Sequence, residues 1–345
     1  MKKIELNSLT LKESQEIMLE INEKNFRGEQ LFTAFNRNRI MDLEDIQVLS
    51  KSLREKLSDI GKVNKIKISK RFDSKLDNTS KYLFLLDDNN IIESVLMKHN
   101  HGNTACVTTQ IGCKMGCEFC ASTKDGFVRD LTPAEILNQV YGMESDLNIR
   151  IDNVVIMGSG EPLDNYENTL KFMKILHDEK GHNTSYRNIT LSTCGLVPRI
   201  YDLAKENLPI TLSISLHSPF DNERKTMMPI AKKHTIDDLI KACKDYYSIT
   251  NRRLTFEYTL IEGVNDRDKD AKELGRLLNN FNAHVNLIPL NPIKEYDFDR
   301  PETRSIKAFQ NKLINRNIQT TIRKEMGMDI SGSCGQLRRN NIDMG

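Results

Sequence analysis

The stretch Gly112-Cys113-Lys114-Met115-Gly116-Cys117-Glu118-Phe119-Cys120 places three of the chain's seven cysteines within eight positions. Three thiolates in this C-x3-C-x2-C spacing can surround a cuboidal iron–sulfur cluster, and the two glycines permit the tight turns that such wrapping needs. A cluster with only three protein ligands leaves one iron open for chemistry. We therefore predict a 4Fe–4S site at Cys113, Cys117 and Cys120.

A structural zinc site is the alternative interpretation of the same cysteines. Such a site is closed by four ligands, usually supplied as two pairs of cysteines. The sequence contains no second C-x2-C pair that could complete it. Iron–sulfur binding is therefore the favoured interpretation, and metal analysis distinguishes the two.

The composition is that of a globular protein from a reducing compartment. A chain of 345 residues can form one large core and a smaller accessory domain. Its net charge is only +2, so any nucleic-acid-binding surface must be a local patch. The odd number of cysteines, the polar N-terminus and the lack of a long apolar run predict a cytoplasmic protein without a disulfide framework, a signal peptide or a membrane span.

The hydrophobic pattern divides the chain into three parts. Helical spacing predicts a small helical domain over residues 1–72, with Thr10 capping its first helix three residues before Glu13. Residues 82–86 and 91–97 predict a β-hairpin across a polar turn, within a linker over residues 73–98. Residues 99–345 alternate strands and helices, which predicts an α/β core shaped as a partial (β/α)6 barrel. Its six predicted strands are residues 105–109, 153–157, 188–192, 210–215, 254–260 and 285–289.

A run of basic residues lies between Lys51 and Arg71. Eight lysines and arginines in this run face two acidic residues. Such a run is most often a solvated surface, and the alternative is a surface that contacts the phosphates of a nucleic acid.

Two cysteines outside the cluster motif also attract attention. Cys106 lies seven residues before Cys113, within the first predicted core strand. Cys334 lies in a polar segment between glycines, which is a poor place for a core thiol and a better one for an exposed nucleophile. Cys194 and Cys243 are interpreted as structural.

Further motifs extend over most of the chain. They are Asn25-Phe26-Arg27, Gly160-Glu161-Pro162-Leu163, Ser215-Leu216-His217-Ser218-Pro219, Asn286-Leu287-Ile288-Pro289-Leu290-Asn291-Pro292, Ile322-Arg323-Lys324 and Cys334-Gly335-Gln336-Leu337. Together with the cysteine triplet they resemble the RlmN/Cfr family of radical S-adenosylmethionine (SAM) RNA adenine methyltransferases. The Glu161-Pro162-Leu163 segment is more similar to the RlmN branch than to the Cfr branch.

The resemblance implies a mechanism that uses two SAM molecules. The first would methylate Cys334 to S-methylcysteine, and the second, bound at the open iron of the cluster, would generate a radical that takes hydrogen from that methyl group. The resulting carbon would join the adenine ring, and Cys106 would attack Cys334 to release methylated RNA and leave a disulfide. Glu93 matches the family's proton acceptor. The residues that match its SAM contacts are Gly160, Glu161, Ser192, Ser215, Leu216, His217 and Asn291.

The resemblance also implies substrates and partners. It indicates methylation of carbon 2 of an adenosine in 23S rRNA and of an adenosine beside the tRNA anticodon, with Cfr-like methylation of carbon 8 as the alternative. Residues 51–71, Arg338 and Arg339 would contact the RNA backbone. The electron donor would be an external carrier such as flavodoxin or ferredoxin, and we expect a monomer. Two other interpretations stay open: a glycyl-radical activase, and a non-catalytic, zinc-stabilised RNA-binding factor.

Overall fold

A ten-stranded sheet runs through the computed structural model, which describes residues 3–100, 102–279, 281–291 and 298–337. Arg338 and Arg339 lie outside these residues. The strands are β1 (Ile4–Glu5), β2 (Gly61–Lys62), β3 (Lys67–Asp73), β4 (Thr79–Leu85), β5 (Ile91–His99), β6 (Gly102–Cys106), β7 (Gln110–Ile111), β8 (Arg129–Asp130), β9 (Asn153–Ile156), β10 (Ile189–Thr193), β11 (Thr211–Ser215), β12 (Leu254–Leu260), β13 (Ala283–Pro289) and β14 (Gln319–Ile322).

Ten α-helices are present in the described part of the chain. They are α1 (Leu11–Glu20), α2 (Phe26–Asn36), α3 (Lys51–Ile60), α4 (Pro133–Leu147), α5 (Tyr166–His177), α6 (Val197–Glu206), α7 (Asp221–Met227), α8 (Ile236–Thr250), α9 (Asp268–Leu278) and α10 (Thr303–Ile314). None of these helices has the length and apolarity needed to cross a membrane.

The large sheet follows chain order from β3 to β14, leaving out only the two small pairs β1–β2 and β7–β8. From β6 through β9 to β14 every neighbouring pair is parallel. Strands added always on the same side are typical of barrel winding, whereas a doubly wound sheet reverses its order. The predicted α/β barrel is thus confirmed. It has a seventh parallel strand, β14, that the sequence did not predict.

Helices α1 to α3 form a small N-terminal unit with its own apolar core. The predicted cap is confirmed, because the Thr10 side chain accepts the Glu13 N–H and the Glu13 carboxylate accepts the Thr10 N–H. This reciprocal arrangement satisfies backbone donors that the first helical turn would otherwise leave unpaired.

The predicted hairpin is confirmed as β4 and β5, which pair antiparallel from Leu85 opposite Ile91. It does not stand apart from the core, because β5 pairs with β6 and so continues the large sheet. Strand β3, which the sequence did not predict, pairs with β4 and forms the edge. The boundary predicted at residue 72 falls inside this strand.

Candidate active site

The carboxyl ends of the parallel strands surround a cavity of about 1500 Å³, counted to its open mouth. Residues at or just after all seven parallel strands line it, as barrel folds require of a ligand site. The cysteine loop closes one side and the C-terminal segment of residues 323–337, here called the C-terminal loop, closes another.

All three cysteines of the triplet line this cavity. The loop that carries them turns at Gly112 and Gly116, whose φ angles are +74° and +69°. A Cβ at position 112 would lie 1.7 Å from the carbonyl oxygen of Gly126, so no other residue fits there. The loop is fixed further by the Glu118 N–H, which donates to the Met227 carbonyl at 2.9 Å.

The environment of the triplet suits a metal cluster. Burial raises the pKa of the Cys113 thiol to about 12 and raises those of Cys117 and Cys120 as well. Buried thiols of this kind ionise when a bound metal stabilises their thiolates. Among the described residues, no three His, Cys, Asp or Glu side chains converge on a position for a single metal ion. Three thiols around one cavity fit a cluster, which spreads its ligands over several metal atoms.

Gly160 and Glu161 form a close turn after β9. Gly160 has a φ of +105°, and a Cβ there would lie 2.6 Å from Cβ of Gln110. The Glu161 carboxylate accepts the N–H groups of Leu163 at 3.0 Å and of Cys194 at 2.7 Å. Burial raises the pKa of Glu161, and these hydrogen bonds oppose the rise. A buried carboxylate on the cavity wall can receive the ammonium group of a ligand.

Four of the other five predicted SAM contacts line the same cavity. They are Ser192, Ser215, His217 and Asn291. The fifth, Leu216, is fully buried and is not one of the described residues that line the cavity. Its N–H donates to the Glu257 carbonyl at 3.1 Å.

His217 is held in one orientation by its neighbours. Its Nδ1 accepts the Thr259 N–H at 2.9 Å, and its carbonyl accepts the Asn265 amide at 2.7 Å. The ring meets the Phe119 ring edge-on, with 4.7 Å between centroids. Burial lowers the pKa of His217 to about 3, so the ring is neutral and carries its proton on Nε2.

Cys106 and Cys334 meet in this cavity as free thiols. Cys106 is buried at the end of β6, where burial raises its pKa to about 12. Cys334 is exposed on the C-terminal loop, and its carbonyl accepts the Asn291 amide at 3.0 Å. The Ala121 N–H donates to the Gly335 carbonyl at 2.8 Å, which ties this loop to the cysteine loop. The two thiols that the sequence separates by 228 residues therefore share one site with the triplet.

Glu93 is placed differently from the other predicted site residues. It is buried on β5 with an exposed fraction of 1%. Its Oε1 lies 3.4 Å from Nζ of Lys81. Val95 and Met97, on the same face of β5, line the cavity, whereas Glu93 is absent from the described part of the wall.

Three residues without a predicted role contribute to the site. Cys194, interpreted from sequence as structural, lies on the cavity wall and donates its N–H to Glu161. Arg224 is fully buried and donates to the carbonyls of Leu216, Ser215 and Cys194, which joins two strand ends. Arg323 reaches the sulfur of Cys334. In the sequence, Arg323 was marked by its position within the Ile322-Arg323-Lys324 motif. No sequence pattern had indicated a role for Arg224.

The basic run is partly neutralised within the protein. Arg71 pairs with Asp146 at 2.6 Å, Lys56 with Glu23 at 2.6 Å and Lys65 with Asp42 at 2.6 Å. Strand β3 presents most of its side chains to solvent. This surface combines internal ion pairs with exposed lysines.

Comparison with known proteins assigns the class. Residues 107–275 match the Radical SAM superfamily, and residues 4–63 match the Ribosomal RNA large subunit methyltransferase N-terminal domain. A crystal structure of a radical SAM methyltransferase from Sphaerobacter thermophilus has a TM-score of 0.92 and 40% identity, covering 97% of this chain and 99% of that one. Fold and site thus define a radical SAM enzyme, whose cofactors are a 4Fe–4S cluster and SAM.

Two curated relatives make the assignment narrower. A probable dual-specificity RNA methyltransferase RlmN from Alkaliphilus oremlandii is 53% identical over 342 residues, covering 99% of each chain. One of the same name from Clostridioides difficile is 50% identical over 338 residues, covering 98% of each. The chain belongs to the RlmN family of radical SAM RNA methyltransferases. This assignment decides against the glycyl-radical activase and the zinc-stabilised factor.

Proposed function

We propose that this protein methylates carbon 2 of an adenosine in 23S rRNA, and of an adenosine beside the tRNA anticodon, with Cys334 as the carrier of the methyl carbon. The observation that supports this most is the meeting of Cys106 and Cys334 in the cavity that the cysteine triplet lines. A simple SAM-dependent transfer needs neither thiol. The full-length relatives named as dual-specificity RNA methyltransferases agree with the proposal.

In this proposal the triplet holds the cluster, and the cavity wall holds SAM. Cys113, Cys117 and Cys120 are the ligands of the cluster. Glu161 receives the ammonium group of SAM, and His217 offers its Nε2–H as a hydrogen-bond donor. When bound, the cluster and SAM supply a carbon radical that abstracts hydrogen. An external one-electron carrier of the flavodoxin or ferredoxin type provides the electron.

The two thiols divide the chemistry of the methyl group between them. The Cys334 sulfur first takes a methyl group from SAM, and after hydrogen abstraction that carbon bonds to carbon 2 of the adenine. The adduct would then pass one electron back to the oxidised cluster and lose the carbon-2 proton, and Glu93 is the proposed acceptor of that proton. The Cys106 sulfur then bonds to the Cys334 sulfur, and the carbon–sulfur bond breaks with its electron pair on the carbon, which takes a proton to become the new methyl group. An external thiol reductant restores the cysteines. Splitting a difficult transfer into covalent stages lowers each barrier.

A Cys106→Ala variant tests this proposal. Without the second thiol the RNA adduct cannot be released, so we expect RNA covalently attached to Cys334 in cells that express the variant. Mass spectrometry of the protein after nuclease digestion detects the adduct. Cys243→Ala is the matched control, since Cys243 is a buried free thiol of α8 that packs in the main core.

The double variant Cys106→Ala with Cys334→Ala should carry no RNA. Absence of an adduct in Cys106→Ala with an intact cluster would contradict the proposed route. Chromatography of the digested nucleosides from wild-type reactions against carbon-2 and carbon-8 standards identifies the methylated position.

A further inference from the structure

The guanidinium of Arg323 approaches the sulfur of Cys334. Nη1 of Arg323 lies 3.9 Å from Sγ of Cys334 and 3.8 Å from Sδ of Met157, with geometry that allows hydrogen bonds to both sulfurs. The residue follows the last strand, and its N–H donates to the Leu287 carbonyl at 2.8 Å, which fixes the backbone from which the side chain extends. Arg323 itself lines the cavity.

This guanidinium has few partners for its charge. Its nearest carboxylate oxygen, Oε2 of Glu257, is 3.9 Å away, and both oxygens of that carboxylate already accept hydrogen bonds, from Ser213 at 2.7 Å and Asn286 at 2.9 Å. In the described part of the chain the hydrogen-bond acceptors of the Arg323 side chain are the two sulfurs. A guanidinium has five N–H donors, so most of them stay available in the cavity.

We propose that Arg323 is a positioning residue that holds the Cys334 sulfur as a thiolate for the first methyl transfer and releases it once it is methylated. The inference rests on the proposed function, in which Cys334 carries the methyl carbon. It assigns to Arg323 a role in one half of the reaction only.

The charge balance of the transfer explains both the holding and the release. The thiol proton leaves to solvent, and the thiolate forms a bond to the SAM methyl group while the sulfonium–methyl bond breaks and leaves its electron pair on the sulfur of S-adenosylhomocysteine. Charge-assisted contacts between a guanidinium and an anion are about twice as strong as neutral ones. The neutral thioether that results loses this attraction, so the methylated side chain can turn toward the RNA base.

The same contact distinguishes the two thiols. Cys106 is also in the cavity and feels the charge of Arg323, but its burial at the end of β6 outweighs that charge, and its raised pKa keeps it protonated. Cys334 is exposed, lies on a loop and has the guanidinium beside it. Arg323 therefore directs the methyl group to Cys334 and leaves Cys106 as a thiol for the later step.

The test compares Arg323→Gln and Arg323→Lys in the cluster-containing enzyme. One readout is the rate at which iodoacetamide alkylates Cys334 without SAM, and the other is transfer of a trideuterated methyl group from labelled SAM to Cys334 without reductant, both followed by peptide mass spectrometry. We expect Arg323→Gln to lower both rates about tenfold or more, and Arg323→Lys, which keeps the charge, to retain most of each rate.

Arg300→Gln is the matched control. Its guanidinium pairs with Glu325 at 2.5 and 2.8 Å, near the start of the same loop, without a contact to Cys334 among the described residues. If Arg300→Gln slows Cys334 as much as Arg323→Gln does, the effect is one of loop folding and the inference is overturned. Equal rates in wild type and Arg323→Gln also overturn it. If wild-type Cys334 acquires no labelled methyl group at all, the proposed function itself fails.

Discussion

The seven cysteines occupy three kinds of environment within one chain. Six are buried or half-buried, and only Cys334 is exposed. The triplet lines a cavity that suits a metal cluster, and Cys243 is enclosed by apolar side chains. Cys106 lies at a strand end in the same cavity as the exposed Cys334. Because thiol reactivity depends on exposure and nearby charge, these surroundings separate ligand, structural and reacting cysteines.

At the scale of one residue, His217 provides a test of the site's electrostatics. We expect its ring to keep the neutral Nε2–H form between about pH 8 and about pH 5, because burial disfavours the charged form. Nitrogen-detected NMR of the imidazole, assigned by comparison with His217→Asn, measures this. Asn is the suitable replacement because it tolerates the φ of +57° at this position.

The same residue makes the fold sensitive to acid. The folded-state pKa of about 3 lies below the unfolded value near 6.5, so the unfolded chain binds the proton more readily. Its stabilising effect is complete above about pH 6.5 and is lost as pH falls toward about 3. The melting temperature of wild type should therefore fall more steeply on acidification than that of His217→Asn. Parallel curves, or a ring that titrates near its ordinary value, would contradict the assignment.

At the scale of elements, the sequence predicted the strands and helices that have a clear hydrophobic pattern. The six central strands and most of their helices were found because buried parallel strands are continuous apolar runs. Strand β3, with the sequence KISKRFD, is exposed along most of its length and so has no alternating pattern. Such a lysine-rich edge strand protects a sheet from further pairing, and its sequence resembles that of a charged loop. The short β14, with the sequence QTTI, has only one buried residue and so also lacks an apolar run.

The arrangement of the site was only partly predictable. The cluster motif is local, so its spacing alone indicated the chemistry. The meeting of Cys106 with Cys334 was available only through the family resemblance, since no local pattern links residues so far apart. Glu93 is buried beside Lys81 because β4 pairs with β5 inside the large sheet. The residue types at these two positions do not predict that burial.

Two carboxylates tie the C-terminal loop to the β3–β4 turn, and one of them is Asp77 in the turn, which accepts the Gly327 N–H at 2.9 Å. The Asp329 carboxylate accepts the Ser74 hydroxyl at 2.7 Å and the Lys75 N–H at 2.8 Å. We expect Asp329→Ala to increase hydrogen exchange in residues 327–337 and in the β3–β4 turn, because the loop then keeps only the Asp77–Gly327 hydrogen bond to this turn. Labelled methyl transfer to Cys334 should slow severalfold as the sulfur becomes less well positioned.

Asp202→Ala is the control for this element. Asp202 is also surface-exposed and ion-paired, but it lies on α6, where its carboxylate accepts hydrogen bonds from Arg199 and Lys205. Its removal should leave exchange in the C-terminal loop unchanged. Unaltered exchange in Asp329→Ala would show that the loop is held without Asp329, by its contacts with Asp77, Asn291 and the cysteine loop.

At the scale of the whole molecule, the N-terminal unit is joined to the barrel by buried polar contacts. The Ala134 N–H donates to Oγ of Ser8 at 3.0 Å, and the Asn138 amide donates to the Asn64 carbonyl at 2.9 Å. Helix α4 therefore serves both units, packing on the barrel and receiving the N-terminal unit. Directional contacts of this kind fix the orientation of the two units, which apolar packing alone specifies less strictly.

A charged contact between the two units involves the carboxylate of Glu144, which is fully buried on α4. It lies 2.7 Å from Nη2 of Arg39 in the N-terminal unit and 3.0 Å from Nε2 of His182, and it also accepts the Ile151 N–H at 2.7 Å. Removing one partner of a buried pair leaves an uncompensated charge. We expect Arg39→Met to destabilise the protein by on the order of 3 kcal/mol.

A double variant separates the charge from the packing. In Arg39→Met with Glu144→Gln no unpaired charge is buried, so thermal unfolding should recover most of the lost stability, while Lys12→Met on the exposed face of α1 should change nothing. Limited proteolysis of Arg39→Met should cleave first within residues 3–60, because the N-terminal unit loses its anchor before the barrel opens. If the double variant is as unstable as Arg39→Met, the two units are held together by packing and this ion pair does not orient them.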